Sequence, residues 1–196
     1  MYTILMAALL ALVPSNMELA EDAIMLALQE LPENLSSNGA DNIQIEILGE
    51  HPGDWLIEQT ISFVLHENGI TVFQRDADSD SPGLLLSVRP MELVVEYGDV
   101  SRPWIIGSKR VERIATCELS FTLYDGDGSV LLTQRTSGVE VDKISWSDAE
   151  VLNGSEGWDW LSGALPENRG GGILEPLIVS GVVASLVYLF YSSRAE

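Results

Sequence analysis

Hydrophobic positions recur at every second residue between Val111 and Tyr124. Ala115, Cys117, Leu119, Phe121 and Leu123 fall on one side of an extended chain, and Thr116, Glu118, Ser120, Thr122 and Tyr124 on the other. Period two marks a strand with one buried face. Asp125-Gly126-Asp127-Gly128 follows, and its chemistry predicts a hairpin turn in preference to an ion site. Ser129 to Asp142 is the predicted partner strand. Upstream, Leu84 to Tyr97 is strand-like, with Pro90 marking an edge or a bulge because proline has no N–H for a ladder.

Nearer the N-terminus the period changes. Ala23, Leu26, Ala27, Glu30 and Leu31 follow helical spacing with one outlier, so Ala20 to Leu31 is a predicted helix that Pro32 stops. Ser36 to Asp41 is a predicted loop. Ile43, Ile45 and Ile47 alternate with Gln44, Glu46 and Leu48 as a half-buried strand. Gly49 to Gly53 is a turn, and Asp54 is placed to cap a helix running from Trp55 to about Glu67. Leu56, Ile57, Thr60, Ile61, Val64 and Leu65 form its buried stripe. Asn68-Gly69 supplies a left-handed stop, and Ile70 to Phe73 is a short strand. Ile43 to Phe73 is therefore a β-α-β unit whose strands pair parallel or lie close in one sheet. Asp76 to Gly83 is an acidic turn that lacks the glycine and distant glutamate of an EF-hand loop.

Both ends of the chain are apolar. Ile173 to Tyr191 holds nineteen residues with Glu175 as the single charge. As a helix these span roughly 28 Å, enough for a bilayer's hydrocarbon core. Tyr188 and Tyr191 suit an interfacial belt, with Arg194 beyond it. Ser180 and Ala184, and Gly181 and Ser185, are small residues four apart, a face that permits helix pairing. Met1 to Val13 has the length of a signal h-region, though no Lys or Arg precedes it, and Val13 and Ser15 suit a cleavage site. The expected organisation is a signal peptide over 1–15 and an α+β extracytoplasmic domain over 16–145. A Trp/Gly-rich juxtamembrane linker over 146–172, a transmembrane helix over 173–191 and a tail over 192–196 complete it. Within the linker, Trp158 and Trp160 lie on the bilayer or pack under the sheet; the pattern leaves both open.

The formal charge of −20 argues strongly against nucleic acid or anionic lipid as a ligand, since both need Lys and Arg to neutralise them. Half a dozen of the ten basic residues nonetheless fall between Arg89 and Arg135. Arg102, Trp104, Lys109 and Arg110 form a candidate protein-docking connection; cross-strand charge pairing on a solvated sheet is the plainer account of the clustering. Cys117 is the sole cysteine, so no internal disulfide forms. No HExxH, CxxC, GxSxG or Walker A occurs. His51 and His66 lack an identifiable third ligand. No catalytic, cofactor-binding or metal residue is predicted.

Ile43-Gln44-Ile45 before Asp54-Trp55-Leu56-Ile57-Glu58, then Gly69-Ile70-Thr71-Val72-Phe73-Gln74-Arg75, resemble the strand, helix and strand of an envelope-domain family. The alternating strand Ala115 to Asp125 with Gly128-Ser129-Val130 resembles its hairpin. That family comprises the periplasmic domains of the curli-secretion lipoprotein CsgG, the penicillin-binding-protein activator LpoB and the TolB N-terminal domain. The likeness covers roughly Ala20 to Asp142 and implies an envelope adaptor that binds proteins. No lipobox cysteine and no pore-forming hairpins are seen, so lipid anchoring and pore formation do not carry over.

The fold expected is α+β: a mixed sheet with a β-α-β unit, long antiparallel hairpin strands and two packed helices, plus a C-terminal transmembrane helix. The function expected is a non-catalytic, membrane-anchored envelope scaffold for protein partners, periplasmic with a short cytoplasmic C-terminus. Two alternatives stand beside it. One is an accessory subunit held in a membrane complex by its helix, and the other an enzyme using carboxylates that no motif singles out.

Overall fold

A computed structural model describes residues 13–74, 83–102, 108–155 and 157–166. The first helix, α1 (Asn16–Ala27), starts on a capping box: Ser15 Oγ accepts from Glu18 N while the Glu18 carboxylate accepts from Ser15 N. A second helix, α2 (Leu31–Ser37), follows at once. Pro32 therefore opens a helix instead of closing one. At the second helical position its missing N–H is one that no helix would use. The predicted loop accordingly shrinks to the residues after Ser37.

The β-α-β unit forms as β1 (Asn42–Ile47), α3 (Asp54–Glu67) and β2 (Thr71–Gln74), with β1 and β2 parallel. Asp54 does not cap α3. It is the first helical residue, and its carboxylate accepts from the His51 backbone N–H at 3.0 Å, tying down the turn that enters the helix. Leu56, Ile57, Thr60, Ile61 and Leu65 are buried, and Gly69 ends the helix at φ 80, in the left-handed region.

Three long strands complete the sheet: β3 (Leu84–Ser101), β4 (Arg110–Tyr124) and β5 (Val130–Ser145), in the order β2-β1-β3-β4-β5. β3 runs parallel to β1 and antiparallel to β4, and β4 antiparallel to β5. A register shift between Pro90 and Glu92 leaves Met91 as the bulge residue, as Pro90 foretold. β3 runs on from Tyr97, where the strand-like pattern ends, through Gly98 to Ser101 after a second shift between Tyr97 and Val100. The Asp-Gly turn closes with Asp125 N–H donating to Ser129 O and Gly128 at φ 85.

Every inward residue of the alternating strand from Ala115 to Leu123 is fully buried. They meet α1 and α3 on one face of the sheet, in a core with Leu19, Ile24, Ile57, Ile61 and Leu65. The other face stays half-exposed. Glu118 pairs there with Arg135 at 2.7 Å and Glu112 with Lys143 at 3.0 Å, the cross-strand charge pairing that was the plainer expectation.

Where a linker was expected from residue 146, Trp146–Ser155 is a helix, α4, and Asp159–Leu161 a 3-10 turn. Trp160 and Leu161 join the core, while Trp158 is exposed. Packing under the sheet is thus the outcome for Trp160. The physical reason is the free edge of β3. Its pairing with β1 ends at Val88, and the chain at Gly163 covers the exposed stretch so closely that an added Cβ would lie 2.7 Å from Val95 O.

Among the described residues no helix is long and apolar enough to cross a membrane. The predicted span 173–191, with its helix-pairing set Ser180, Gly181, Ala184 and Ser185, lies outside them. So do the signal h-region through residue 12, the acidic turn 75–82 and Trp104. Pro14 and Ser15, assigned with the signal peptide, serve the fold: one carbonyl and one helix cap come from them.

Candidate functional site

The titratable inventory is dispersed. Among the described residues no group of three His, Cys, Asp or Glu is placed to hold a metal. Cys117 is buried in the core, and burial pushes its thiol up to about 12, the opposite of what a nucleophile needs. His51 and His66 sit at opposite ends of α3. His51 Nδ1 accepts from Gly53 N–H at 3.0 Å and its ring meets Trp160 edge-on at 5.5 Å, a structural role at the helix entry.

His66 instead faces a groove. β2 is an edge strand; among the described residues only β1 pairs with it. Beside it runs the α3 stripe Glu58, Ser62 and His66, spaced four apart so that the three side chains line one helix face. Between strand and helix lies a cleft of about 450 Å³ whose lining includes Ile45 and Val72, with Thr71 and Phe73 from the edge strand. Phe73 is 52 % exposed, and on α3 Phe63 and Trp55 are 58 % and 42 % exposed. Of these, Phe73 lines the cleft, next to backbone groups on the outer edge of β2 that no described strand uses. A second depression, on the open sheet face, is lined by Gln44, Glu46, Ser87, Tyr124 and Asp125 and is more polar.

The predicted docking connection is brought together only in part. Arg102 lies one residue past β3, and Arg110 opens β4 opposite Ser101 and Ser145; both are exposed. Lys109 O accepts from Trp146 N–H at 3.0 Å, and Lys109 Nζ stands 5.8 Å from the Trp146 ring centroid. The connection and α4 thus form one rim at the end of the sheet.

Two features were missed from the sequence. The groove depends on which strand becomes the sheet edge, and nothing local announces that. The other is Arg113, fully buried. Its Nε donates to Asp142 at 2.9 Å, Nη1 to Asn16 Oδ1 at 2.8 Å and Nη2 to Pro14 O at 2.9 Å. Asn16 in turn donates to Leu161 O at 2.8 Å and lies 3.0 Å from the Tyr97 hydroxyl. A signal existed, because Arg113 has the parity of Ala115 and Cys117 and so points inward. All its polar partners are satisfied, which makes it a clasp between α1, the sheet and the 3-10 turn.

No protein-family model matches the chain. No curated protein matches it. Three solved structures are similar to it in part. A minor lipoprotein from Acinetobacter baumannii shares 15% identity at a TM-score of 0.37, over 58% of this chain and 76% of that one. A homolog of neuraminyllactose-binding hemagglutinin from Helicobacter pylori shares 14% at 0.33, over 53% and 64%. The lipoprotein GNA1162 of Neisseria meningitidis shares 17% at 0.30, over 75% and 98%. None of these three is CsgG, LpoB or TolB.

Proposed function

We propose that the chain is a non-catalytic, membrane-tethered envelope protein that binds a partner protein, taking an extended peptide segment of that partner into the groove between β2 and α3. The observation that carries this reading is the groove itself, a cleft with mixed polar and apolar walls beside the outer edge of β2, which no described strand pairs. A free edge offers N–H and C=O groups to an added strand. Alternate side chains of that strand then find the pocket beside the helix. Here the cleft would take apolar side chains against Ile45 and Val72. Glu58, on a chain of net charge −20, favours a Lys or Arg in the same segment. β2 has four residues, so few backbone bonds are available. At about 1 kcal/mol each they supply only a few kcal/mol, affinity no better than about millimolar by themselves, so side chains entering the cleft must supply the rest of a reversible contact.

The tether in this reading is the apolar run Ile173–Tyr191.

Selection from a displayed library of random peptides on the full-length, detergent-solubilised protein tests the groove. The expected winners alternate apolar and polar residues and carry a Lys or Arg. Ser62→Trp, which fills the cleft, is expected to weaken them at least about tenfold, while Thr122→Trp on the open sheet face leaves them unchanged. Peptides indifferent to Ser62→Trp remove the groove from consideration. A native partner lost on truncation after Gly170, or when Gly181 and Ala184 are made bulky, points instead to a subunit held by its helix.

A further inference from the structure

We infer that the bond between Ser15 and Asn16 is not a processing site and that the apolar run Met1–Val13 stays joined to the folded domain. The segment 1–15, expected to leave as a signal peptide, is then a retained flank. This holds independently of the groove beside β2 and of the Ile173–Tyr191 tether.

Three residues at the junction are built into the fold. Pro14 O accepts from Arg113 Nη2 at 2.9 Å, and Arg113 is fully buried. Ser15 caps α1: its Oγ accepts from Glu18 N–H at 3.1 Å, and its own N–H donates to the Glu18 carboxylate at 2.7 Å. Ser15 O accepts from Leu19 N–H at 3.2 Å, the first carbonyl that the helix uses. Asn16 is fully buried, with Oδ1 accepting from Arg113 Nη1 at 2.8 Å and Nδ2 donating to Leu161 O at 2.8 Å.

A cut after Ser15 would undo this in two ways. It removes Pro14 O, the Ser15 cap and the Ser15 carbonyl, and leaves a buried guanidinium with a donor unmatched. It also turns the backbone N–H of Asn16 into an ammonium. That cation would be buried beside Arg113, at the helix end whose dipole repels positive charge. Asp142 is already engaged by Arg113, and the Glu18 carboxylate would merely exchange one donor for another. Signal peptidase acts on the unfolded chain, so the fold does not shield the bond. The product, however, would be a domain stripped of its own first cap.

No upstream bond takes its place. Small residues never stand two apart within residues 1–15, the spacing that an A-x-A-like site requires. Val13, which precedes Pro14, is not small, and cuts after Ala7, Ala8 or Ala11 would fall inside the apolar run itself. The domain thus carries an uncharged apolar flank before Pro14 in addition to the run Ile173–Tyr191.

The test is the intact mass of the full-length chain, expressed in a bacterial host and extracted from its membranes with detergent. A mass that includes residues 1–13 is expected. Val13→Ala with Ser15→Ala supplies the missing site and shows that the host's peptidase reaches this junction: its product should begin at Asn16. The core of that shortened product is expected to be digested by an added protease at least about tenfold faster than the same variant isolated uncut, with the peptidase inhibited. An unsubstituted chain that begins at Asn16 overturns the inference as a whole. One that begins at Pro14 or within the run overturns retention. Equal digestion of the cut and uncut variants overturns the role given to Pro14 and Ser15.

Discussion

Arg113 shows how one residue joins distant parts of the chain. Its guanidinium is fully buried, and its bonds reach residues 14, 16 and 142. Desolvating such a charge is tolerable only because each donor finds a partner, and removing one member strands the rest. Arg113→Ala is therefore expected to destabilise the protein by about 3 kcal/mol in urea denaturation. Arg113→Lys should recover only part of this, because an ammonium lacks the planar fork that serves Asp142, Asn16 and Pro14 together. Cys117 makes the complementary case. With burial pushing its folded-state value up to about 12 from the ordinary 9.0, the native thiol holds its proton where the unfolded thiol has lost it. Stability should then be level below pH 9 and fall as pH rises from 9 toward 12. Urea midpoints across that window check this, and Cys117→Ala should flatten the slope. A native thiol that reacts with an exogenous disulfide reagent at neutral pH would count against the burial that causes the shift.

At the scale of elements, α1 lies directly against β5 at Gly138. A Cβ added at Gly138 would overlap the Ala23 carbonyl oxygen and lie 2.6 Å from Ala27 N. Helix backbone and strand backbone thus touch with no side chain between them. Gly138→Val is expected to shift α1 off the sheet and cost more than about 3 kcal/mol, with loss of cooperativity on thermal unfolding. Gly128→Ala offers the contrast: it strains a positive φ in open space and should cost about 1 kcal/mol. Equal losses at the two glycines would mean that α1 does not sit where the sheet places it. The short edge strand β2 belongs at this scale too. Four residues leave an edge long enough to accept a partner and too short to template aggregation.

For the whole molecule the governing quantity is the charge of −20. Like charges over a compact surface repel, and salt screens them over about 10 Å at 0.1 M and about 3 Å at 1 M. The thermal midpoint of the detergent-solubilised chain is expected to rise over that range of NaCl. The Arg113 clasp is shielded from this effect by burial, so the salt dependence of Arg113→Ala should parallel that of the unsubstituted protein. A midpoint that falls with salt would show that exposed pairs such as Arg135 with Glu118 outweigh the net repulsion.

Local pattern determined the strands, the β-α-β unit, the Asp-Gly hairpin and the stop at Gly69. Each rests on residues a few positions apart whose backbone preferences and alternation suffice. It misplaced Pro32, which can end one helix or begin the next, and it read 146–166 as a linker because glycines and tryptophans carry no period. Only the tertiary structure decided the rest. The order β2-β1-β3-β4-β5 makes β2 an edge and so creates the groove. The early end of β1 exposes the flank of β3 that Trp160 to Gly163 covers. Arg113 becomes a clasp because partners 97 and 29 residues away arrive at one point. Such juxtapositions are set by how chain segments pack, and free energy that depends on distance in space leaves no mark on spacing along the sequence.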